Sequence, residues 1–332
     1  MCKKAALFWR NTEMKFDHVL LAGYGAPSKP EEVMPYLRAM SEGWGGPENR
    51  LKAVAKHYEM IGGGSPYNEQ VSKFQVRLEQ ELRSSGISLP VFVGMKHWHP
   101  FLKDVLPEIH KKGFKKGLAI PLTPYRSASS GAGYKESLGS ICSVSGMNDL
   151  RYQWIEGWHD QEPFIEAEVE EVSRVLQTID PAERAGTPIL FSFHSLPVGR
   201  DPADPMSCYA EEARAASALV AKRLGHKKWT VVYQSRPVSA KTAWLSPEII
   251  EEINSLAARR EKRVLVVPLG FLCDHAEILY DLDHQVRAAA KGAGMEYLRA
   301  GTVLCHPEIV KLLRTLIQKV TATGVSGTSC VP

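Results

Sequence analysis

PILFSFHSLP, residues 188–197, and RVLVVPLGFLCDHAEILYDLDHQ, residues 263–285, carry the strongest structural signal in this chain. Each starts with an apolar run of strand length, as expected for a strand that is buried on both faces. Each run ends at polar side chains, which are His194 in the first stretch and residues 274–285 in the second. Ligands of parallel α/β sheets bind at the carboxyl ends of the strands. The two stretches therefore predict parallel strands that deliver polar groups to a binding site.

Similar apolar runs recur along the chain and alternate with helical segments. Four more predicted strands cover residues 18–27, 90–100, 117–125 and 229–237. Helical spacing of apolar residues predicts helices over residues 30–40, 66–85, 101–112, 162–178, 208–224, 246–260 and 307–321. Because strands and helices alternate in two similar rounds, we expect an α/β fold of two similar Rossmann-like domains, each a doubly wound parallel sheet, with a cleft between them. The expected divisions are an N-terminal extension (1–16), two domains (17–160 and 161–305), a C-terminal helix (306–322) and a flexible tail (323–332).

The composition argues against several classes of protein. The 332 residues are 44% hydrophobic, enough for two cores, and the net charge of +4 comes without a block of basic residues, so no nucleic acid is expected as a partner. The six cysteines form no CxxC pair, which points to a reducing compartment and against an iron–sulfur cluster. No apolar run reaches the ~18 residues of a transmembrane helix or the ~7 to 15 of a secretory signal. We therefore expect a cytoplasmic protein and a monomer.

His194 and Glu277 are the strongest candidates for chemistry. His194 stands where a predicted strand ends, and Asp274 is a candidate N-cap with Glu277 three residues on, which is the spacing of a capping box. In the helix that follows, Glu277, Asp281 and His284 share one face. We expect His194 and Glu277 to face each other from opposite walls of the cleft. The alternatives are a buried histidine with one backbone hydrogen bond and a solvated helix face.

The ends of the other predicted strands add further polar side chains to the same cleft. They are Tyr24, Lys96, His97, Tyr125, Arg126, Ser195, Gln234, Ser235 and His275. The segment IGGGSP (61–66) has glycines of the kind found in phosphate-binding loops, but the Walker lysine is missing and Pro66 follows at once. A tight turn that brings Ser65 close to a flat ligand is the better interpretation.

Three of these motifs, in this order, give the chain a close resemblance to ferrochelatases over about Asp17 to Gln285. FSFHSLP (191–197) is similar to the family's histidine motif, YQSRPVSAKTAWLSP (233–247) to its Gln-Ser to Trp-Leu-x-Pro segment, and DHAEILYDLD (274–283) to its acidic helix. The resemblance implies two Rossmann-like domains with a porphyrin cleft between them, in agreement with the pattern of strands and helices.

Within that family the chain resembles the coproporphyrin-using bacterial branch more than the protoporphyrin branch. The similarity is carried by LLAGYGAP (20–27), GMKHWHP (94–100) and EGWHDQEPF (156–164). Tyr24 carries most of the distinction because the protoporphyrin branch usually has Met there. The chain departs from the coproporphyrin branch at Ser41 and Glu42, where arginines tend to lie in reach of a propionate. Lys96 or Arg126 is then the expected partner of that carboxylate, or the edge of the substrate differs.

The resemblance also implies the chemistry, which is insertion of Fe²⁺ into a porphyrin, with coproporphyrin III favoured. His194 would accept pyrrole protons as a neutral imidazole, Glu277 would be the opposing carboxylate, and Tyr24 a weak axial ligand, so these three are the expected metal contacts. Fe²⁺ is a substrate here, and no organic cofactor is implied. The alternatives are a protoporphyrin IX ferrochelatase, a sirohydrochlorin-type chelatase and a non-catalytic haem- or porphyrin-binding protein. The expected porphyrin contacts are Tyr24, Ser65, Lys96, His97, Tyr125, Arg126, Ser195, Ser235, His275 and Asp281.

Overall fold

Two four-stranded parallel sheets form the framework of the molecule. The computed structural model describes residues 16–41, 48–127, 132–198, 205–237 and 242–323. The first sheet has the strand order β2-β1-β3-β4, and the second has the order β6-β5-β7-β8. The strands are β1 (His18–Gly23), β2 (Val91–Met95), β3 (Lys116–Pro121), β4 (Arg151–Trp154), β5 (Ile189–His194), β6 (Trp229–Gln234), β7 (Arg263–Val267) and β8 (Glu296–Arg299).

Helices connect the strands and cover both faces of the sheets. Along β1, for example, Leu20 packs on one face, while Val19 and Leu21 pack on the other. None of the helices in the described ranges combines the length and the apolar character that crossing a bilayer requires. The helices are α1 (Pro30–Ser41), α2 (Glu48–Met60), α3 (Tyr67–Ser84), α4 (Leu102–Lys111), α5 (Gly133–Val144), α6 (Glu162–Leu176), α7 (Pro181–Arg184), α8 (Pro205–Leu224), α9 (Ile249–Ala258), a π-helix (Glu277–Val286), α10 (Arg287–Gly292) and α11 (Pro307–Thr323).

One hydrophobic core runs through both halves of the molecule. It contains Leu21 from the first sheet and Phe191 from the second. The C-terminal helix α11 packs on α3 and α6, and it adds Leu313 and Ile317 to the same core. The composition left room for two separate cores, whereas the structure joins one face of each sheet in a shared core and packs the opposite faces in separate clusters around Leu20 and Leu190.

All six predicted strands are present, and the sheets contain two strands that the sequence did not reveal. These are β4 and β8, with the sequences RYQW and EYLR, at the edges of the two sheets. Both are four residues long and carry charged side chains, so they lack the apolar run by which the other strands were found. Helices α2, α5, α7 and α10 were also missed. Residues 1–15 and 324–332, which include most of the expected extension and tail, lie outside the described residues.

The order of the second sheet places the candidate residues. β5 lies between β6 and β7, with Ile189 beside Trp229 on one side and beside Leu265 on the other. The strands are parallel, so their carboxyl ends meet at one edge of the sheet. His194 at the end of β5 therefore neighbours Gln234 at the end of β6 and the segment that follows β7.

Candidate active site

His194 and Glu277 form a pair at the carboxyl edge of the second sheet. His194 is the last residue of β5, and Glu277 is the first residue of the π-helix that follows β7. His194 Nε2 lies 3.6 Å from Glu277 Oε1, and the two side chains are 34% and 42% exposed. The two residues meet as expected. The expectation that they come from opposite walls is wrong, because β5 and β7 are neighbours in one sheet.

The pair is ionic at neutral pH. Burial alone would lower the pKa of His194, but the Glu277 carboxylate raises it to about 9, helped by a hydrogen bond to the Ser195 carbonyl oxygen. That bond runs from His194 Nδ1 and is 2.6 Å long. Burial would likewise raise the pKa of Glu277, and the charge of His194 lowers it to about 2 instead. His194 is therefore an imidazolium at rest and not the neutral imidazole that the sequence suggested.

Gln234 fixes the start of the π-helix. Its Nε2 donates to the main-chain oxygen of Glu277 at 2.6 Å, and its Oε1 accepts from Ser192 Oγ at 2.7 Å. Gln234 is 1% exposed and Ser192 is fully buried. A buried amide that is bonded at both ends holds its partners in one arrangement. The sequence placed Gln234 in the cleft but gave no sign that it holds Glu277.

Asp281 lies further along the π-helix and accepts a hydrogen bond from Ser235 Oγ. Ser235 adopts a left-handed backbone conformation, with φ of 63°, which is uncommon for a residue other than glycine. Burial and the negative charge of Glu277 raise the pKa of Asp281 to about 7. A carboxyl group with this pKa exchanges protons readily near neutral pH. The structure thus brings Ser235 and Asp281, both predicted, beside the His194–Glu277 pair.

The acidic helix differs from the prediction in its hydrogen bonding. The sequence predicted an α-helix with Glu277, Asp281 and His284 on one face, whereas the structure has a π-helix there. The wider i→i+5 repeat keeps Asp281 beside Glu277 and turns His284 away from it. His284 stacks on Tyr280 at 6.0 Å between ring centroids, and Tyr280 stacks on His57 of α2 at 3.7 Å. The helix is thereby attached to the first half of the chain.

His275 caps the start of this helix, and Asp274 does not. The Glu277 N–H donates to His275 Nδ1 at 3.1 Å. The Asp274 carboxylate lies 3.3 Å from Arg299 Nη1 at the end of β8, so the predicted capping box is absent because Arg299 engages Asp274. Burial lowers the pKa of His275, which keeps its ring neutral and able to accept the bond. His275 therefore supports the main chain of Glu277.

Tyr24, Lys96 and His97 follow the carboxyl ends of β1 and β2 in the first half of the chain. Tyr24 follows β1, is 42% exposed, and its ring centroid lies 4.4 Å from that of His97. Shielding of its hydroxyl group and the charge of Glu277 raise the pKa of Tyr24, so this phenol is neutral and close to Glu277. Burial and the neighbouring Lys96 lower the pKa of His97 to about 4. The side chains of Tyr24 and His97 therefore form an aromatic, uncharged wall.

Three of the expected substrate contacts lie in the interior. Ser65, Tyr125 and Ser195 are 5%, 2% and 0% exposed. The Tyr125 hydroxyl donates to the Leu269 carbonyl at 3.0 Å, and Ser195 Oγ donates to the Leu245 carbonyl at 3.0 Å. Ser65 Oγ accepts from a main-chain N–H two residues on. All three hydroxyl groups thus form hydrogen bonds to the main chain, and direct contact with the substrate stays a prediction for these residues.

Arg126 and Lys96, the two basic residues that the sequence suggests as partners of a propionate, have different surroundings in the structure. Arg126 Nε lies 2.5 Å from Glu212 Oε1. Lys96 is half-buried, and its main-chain N–H donates to the Gly23 carbonyl at 2.9 Å, next to Tyr24. Ser41 ends α1 and donates to a main-chain carbonyl at 2.9 Å, and Glu42 lies outside the described residues. Of the two proposed bases, Arg126 is thus already paired with a carboxylate.

Several phenols near Glu277 were missed by the sequence analysis. Tyr36 and Tyr58 are 4% and 6% exposed, with ring centroids 6.2 Å apart. Burial and the charge of Glu277 raise the pKa of both, and the pKa of Tyr209 on α8 rises for the same two reasons among others. Neutral phenols donate hydrogen bonds. Their positions carry no sequence signal because a buried tyrosine on a helix has the pattern of an ordinary core residue.

The chain matches a known family over almost its whole length. The family model described as Ferrochelatase matches residues 17–321. A coproporphyrin III ferrochelatase of Leifsonia xyli subsp. xyli is 35% identical over 325 residues, covering 91% of this chain and 83% of the relative. A coproporphyrin III ferrochelatase of Nocardia farcinica is 31% identical, covering 92% and 88%. A ferrochelatase of Rhodopirellula baltica is also 31% identical, covering 92% and 86%.

Solved structures with low sequence identity share the fold. SirB from Bacillus subtilis with Fe³⁺ has a TM-score of 0.56 at 13% identity, with 93% of this chain and 97% of that chain covered. The sirohydrochlorin chelatase SirB from Bacillus subtilis subspecies spizizenii in complex with cobalt has a TM-score of 0.54 at 13% identity, with 95% and 98% covered. At this level of identity the likeness concerns the fold alone.

Proposed function

Since this chain belongs to the ferrochelatase family, whose members are lyases that insert a metal ion into a porphyrin, we propose that it inserts Fe²⁺ into coproporphyrin III and releases coproheme. His194 and Glu277 are the proposed working pair. The observation that carries this assignment is their ionic contact of 3.6 Å at the strand ends where ligands of such sheets bind. The names of the relatives and the position of Tyr24 after β1 support coproporphyrin as the porphyrin.

Metal insertion must remove two protons from the pyrrole nitrogens and the waters from the ion. His194 already holds a proton at neutral pH, because the charge of Glu277 raises its pKa to about 9. A divalent cation that binds Glu277 competes with the imidazolium for the same negative charge. The pKa of His194 then falls, and the ring loses its proton. Arrival of the cation therefore turns His194 into the base that the next step needs.

Asp281 is the acceptor of this proton. Its pKa of about 7 lies close to ambient pH, and it shares the π-helix with Glu277. The proton released by His194, and the two pyrrole protons that the neutral ring then accepts one after the other, pass to Asp281 and from there to solvent. Carboxylate oxygens suit the delivery of Fe²⁺, because they hold the ion less tightly than thiolates would.

The macrocycle lies between the His194–Glu277 pair and the wall formed by Tyr24 and His97. Tyr24 meets the metal from that wall as a neutral phenol, and thus as a weak ligand that does not retain the product. Lys96, half-buried on the same wall, holds a propionate. Ser235 lies at the edge of the pair, where it orients Asp281.

The test is anaerobic incubation of the purified chain with Fe²⁺ and either coproporphyrin III or protoporphyrin IX, followed by absorbance. We expect insertion into coproporphyrin III and its loss by at least about 100-fold in His194→Ala. His110→Ala, which changes an exposed histidine paired with Asp149 on the first half, is the matched control and should leave the rate unchanged. No insertion into either porphyrin by the unsubstituted chain would refute the activity. Undiminished insertion by His194→Ala would refute the role of the pair.

Protoporphyrin IX is the second candidate, because Ser41 ends α1 where the coproporphyrin branch tends to have an arginine. Faster insertion into protoporphyrin IX than into coproporphyrin III would select it. A porphyrin carrier without turnover would bind both porphyrins and insert iron into neither. We further propose that the chain acts as a cytoplasmic monomer that needs no organic cofactor and no iron–sulfur cluster, with Fe²⁺ solely as substrate.

A further inference from the structure

We propose that Arg126 and Glu212 form an interdomain clamp that sets the width of the porphyrin cleft, which makes Arg126 a positioning residue. This inference rests on the proposed function, since it concerns the cleft that would hold the porphyrin. Tyr24 comes from the first sheet, whereas His194 and Glu277 come from the second. The distance between the two walls therefore depends on contacts that join the halves of the chain.

The clamp joins the end of a first-sheet strand to a helix of the second half. Arg126 follows β3, and Glu212 lies on α8, which packs on β6. Arg126 Nε lies 2.5 Å from Glu212 Oε1, and the Arg126 main-chain N–H donates to Oε2 at 2.7 Å. Glu212 is 4% exposed. One buried carboxylate therefore binds both the side chain and the backbone of Arg126, and such charge-assisted bonds are strong and directional.

The surroundings of Arg126 are shaped for this contact. Gly157 has φ of 66°, and a Cβ atom there would approach Arg126 Nε to 3.0 Å. Only glycine accepts this conformation without strain and leaves room for the guanidinium. His159, two residues on, places Nδ1 3.6 Å from Glu212 Oε2. Burial lowers the pKa of His159, so its ring is neutral and the positive partner of Glu212 is Arg126.

Aromatic packing connects the clamp to the proposed base. Tyr125 precedes Arg126 and donates to the Leu269 carbonyl in the loop after β7. The ring centroid of Tyr125 lies 5.3 Å from that of Phe193 and 6.1 Å from that of Tyr209 on α8. Phe193 immediately precedes His194 on β5. A shift of Arg126 relative to Glu212 therefore moves the first-half wall relative to the end of β5, while the second-half wall moves as one body.

Loss of the clamp should affect the binding of porphyrin and the binding of Fe²⁺ differently. His194 and Glu277 both belong to the second half, so their mutual geometry does not depend on the clamp. The porphyrin contacts both halves. Loss of the clamp should thus weaken productive porphyrin binding and leave capture of the metal ion nearly unchanged.

The experiment measures KM for porphyrin, KM for Fe²⁺ and kcat for Arg126→Met and Glu212→Gln. We expect kcat/KM for porphyrin to fall by about 10- to 100-fold, as for a displaced binding wall, while KM for Fe²⁺ changes by less than about twofold. Arg126→Lys, which retains the charge, should recover part of the loss. Arg223→Met is the matched control, because Arg223 also lies on α8 but pairs with Glu162 of α6 at 3.0 Å on an exposed face.

Unchanged kcat/KM for porphyrin, or an equal loss for both substrates, would overturn the clamp. Glu212→Gln has nearly the shape of the original residue, and equilibrium binding of porphyrin to it, followed by fluorescence, serves as the readout should Arg126→Met fail to fold. Failure of the proposed function is distinguishable, since the unsubstituted chain would then insert no iron at all. Even in that case, equal porphyrin affinity of Glu212→Gln and the unsubstituted chain would count against the clamp.

Discussion

Glu277→Gln tests the ionic pair directly, since it removes the charge of the carboxyl group and keeps its shape. At the 3.6 Å between His194 Nε2 and Glu277 Oε1, Coulomb's law gives about 1 kcal/mol in water and about 5 kcal/mol at an effective dielectric of 20. The pair is partly exposed and lies between these limits, so the pKa of His194 should fall by about 1 to 3 units from its value of about 9. Imidazole ¹H–¹⁵N NMR spectra recorded over pH 5 to 10 would follow it, with the signal assigned by its absence in His194→Gln.

The same substitution should abolish most metal insertion, because a neutral amide offers Fe²⁺ no negatively charged oxygen ligand, even though His194 then loses its proton more readily. A loss of at least about 100-fold in kcat is expected. Glu251→Gln removes an exposed carboxylate paired with Arg236 and is the control, in which His194 should titrate as in the unsubstituted chain. An unshifted titration of His194 in Glu277→Gln would refute the reasoning, since the raised pKa would then have another cause.

The free energy of unfolding should depend on pH in a direction that the pKa shifts of His194 and Glu277 determine. The raised pKa of His194 stabilises the fold fully below its unfolded value of 6.5, and this contribution is lost as the pH rises through about 9. The lowered pKa of Glu277 stabilises the fold above 4.5, and this contribution is lost as the pH falls through about 2. The urea midpoints of the unsubstituted chain and of Glu277→Gln should therefore differ most between pH 5 and 6.5 and converge above pH 9. A difference that grows above pH 9 would contradict this account.

Three further substitutions test neighbouring features. In the unsubstituted chain kcat should rise with pH around 7, because the pKa of Asp281 is raised to about 7. Asp281→Asn should remove this rise. The same inflection in both proteins would argue against the proton path. Gln234→Met removes the buried hydrogen bond to the carbonyl of Glu277, so it should lower kcat by about tenfold with little change in KM for porphyrin. The free energy of unfolding in urea should fall by about 1–3 kcal/mol. An unaltered kcat would show that other contacts hold the start of the π-helix. In Gly64→Ala the new Cβ would overlap the Ser28 carbonyl in the loop after β1. The free energy of unfolding should therefore fall by about 1–3 kcal/mol, and KM for porphyrin should rise. An unchanged temperature of thermal unfolding would contradict this.

The strands and the identity of the central pair were predictable because each depends on local chemistry. An apolar run such as ILFSF, of strand length and flanked by Pro188 and Pro197, is typical of a buried strand, and a polar residue at its carboxyl end is then expected at the edge of the sheet. The edge strand β8 was not predictable, because the residues EYLR pair through the backbone and bury little apolar surface. The strand order was not predictable either, and it decides that His194 and Glu277 share one sheet.

The details of the site that escaped prediction all depend on partners distant in sequence. Asp274 has the spacing of an N-cap, yet Arg299 of β8 binds it. The raised pKa of His194 arises only when Glu277 is folded beside it, so the reference value of a histidine was misleading. Arg126 looked like an anion-binding residue at a strand end, and its partner Glu212 lies 86 residues further along the chain. Tertiary contacts of this kind leave no mark on local composition.

The position of α11 has a consequence for how the protein is made. This helix ends the described chain, yet it packs on α3 near the beginning and contributes Leu313 and Ile317 to the same interior as Phe74 and Leu78. During synthesis the first sheet can form its ladder early, but one side of α3 stays exposed to water until α11 has left the ribosome. Nascent chains should therefore remain sensitive to protease until α11 has emerged, and a stop codon before Pro307 would yield a product prone to aggregation rather than a slightly shorter enzyme.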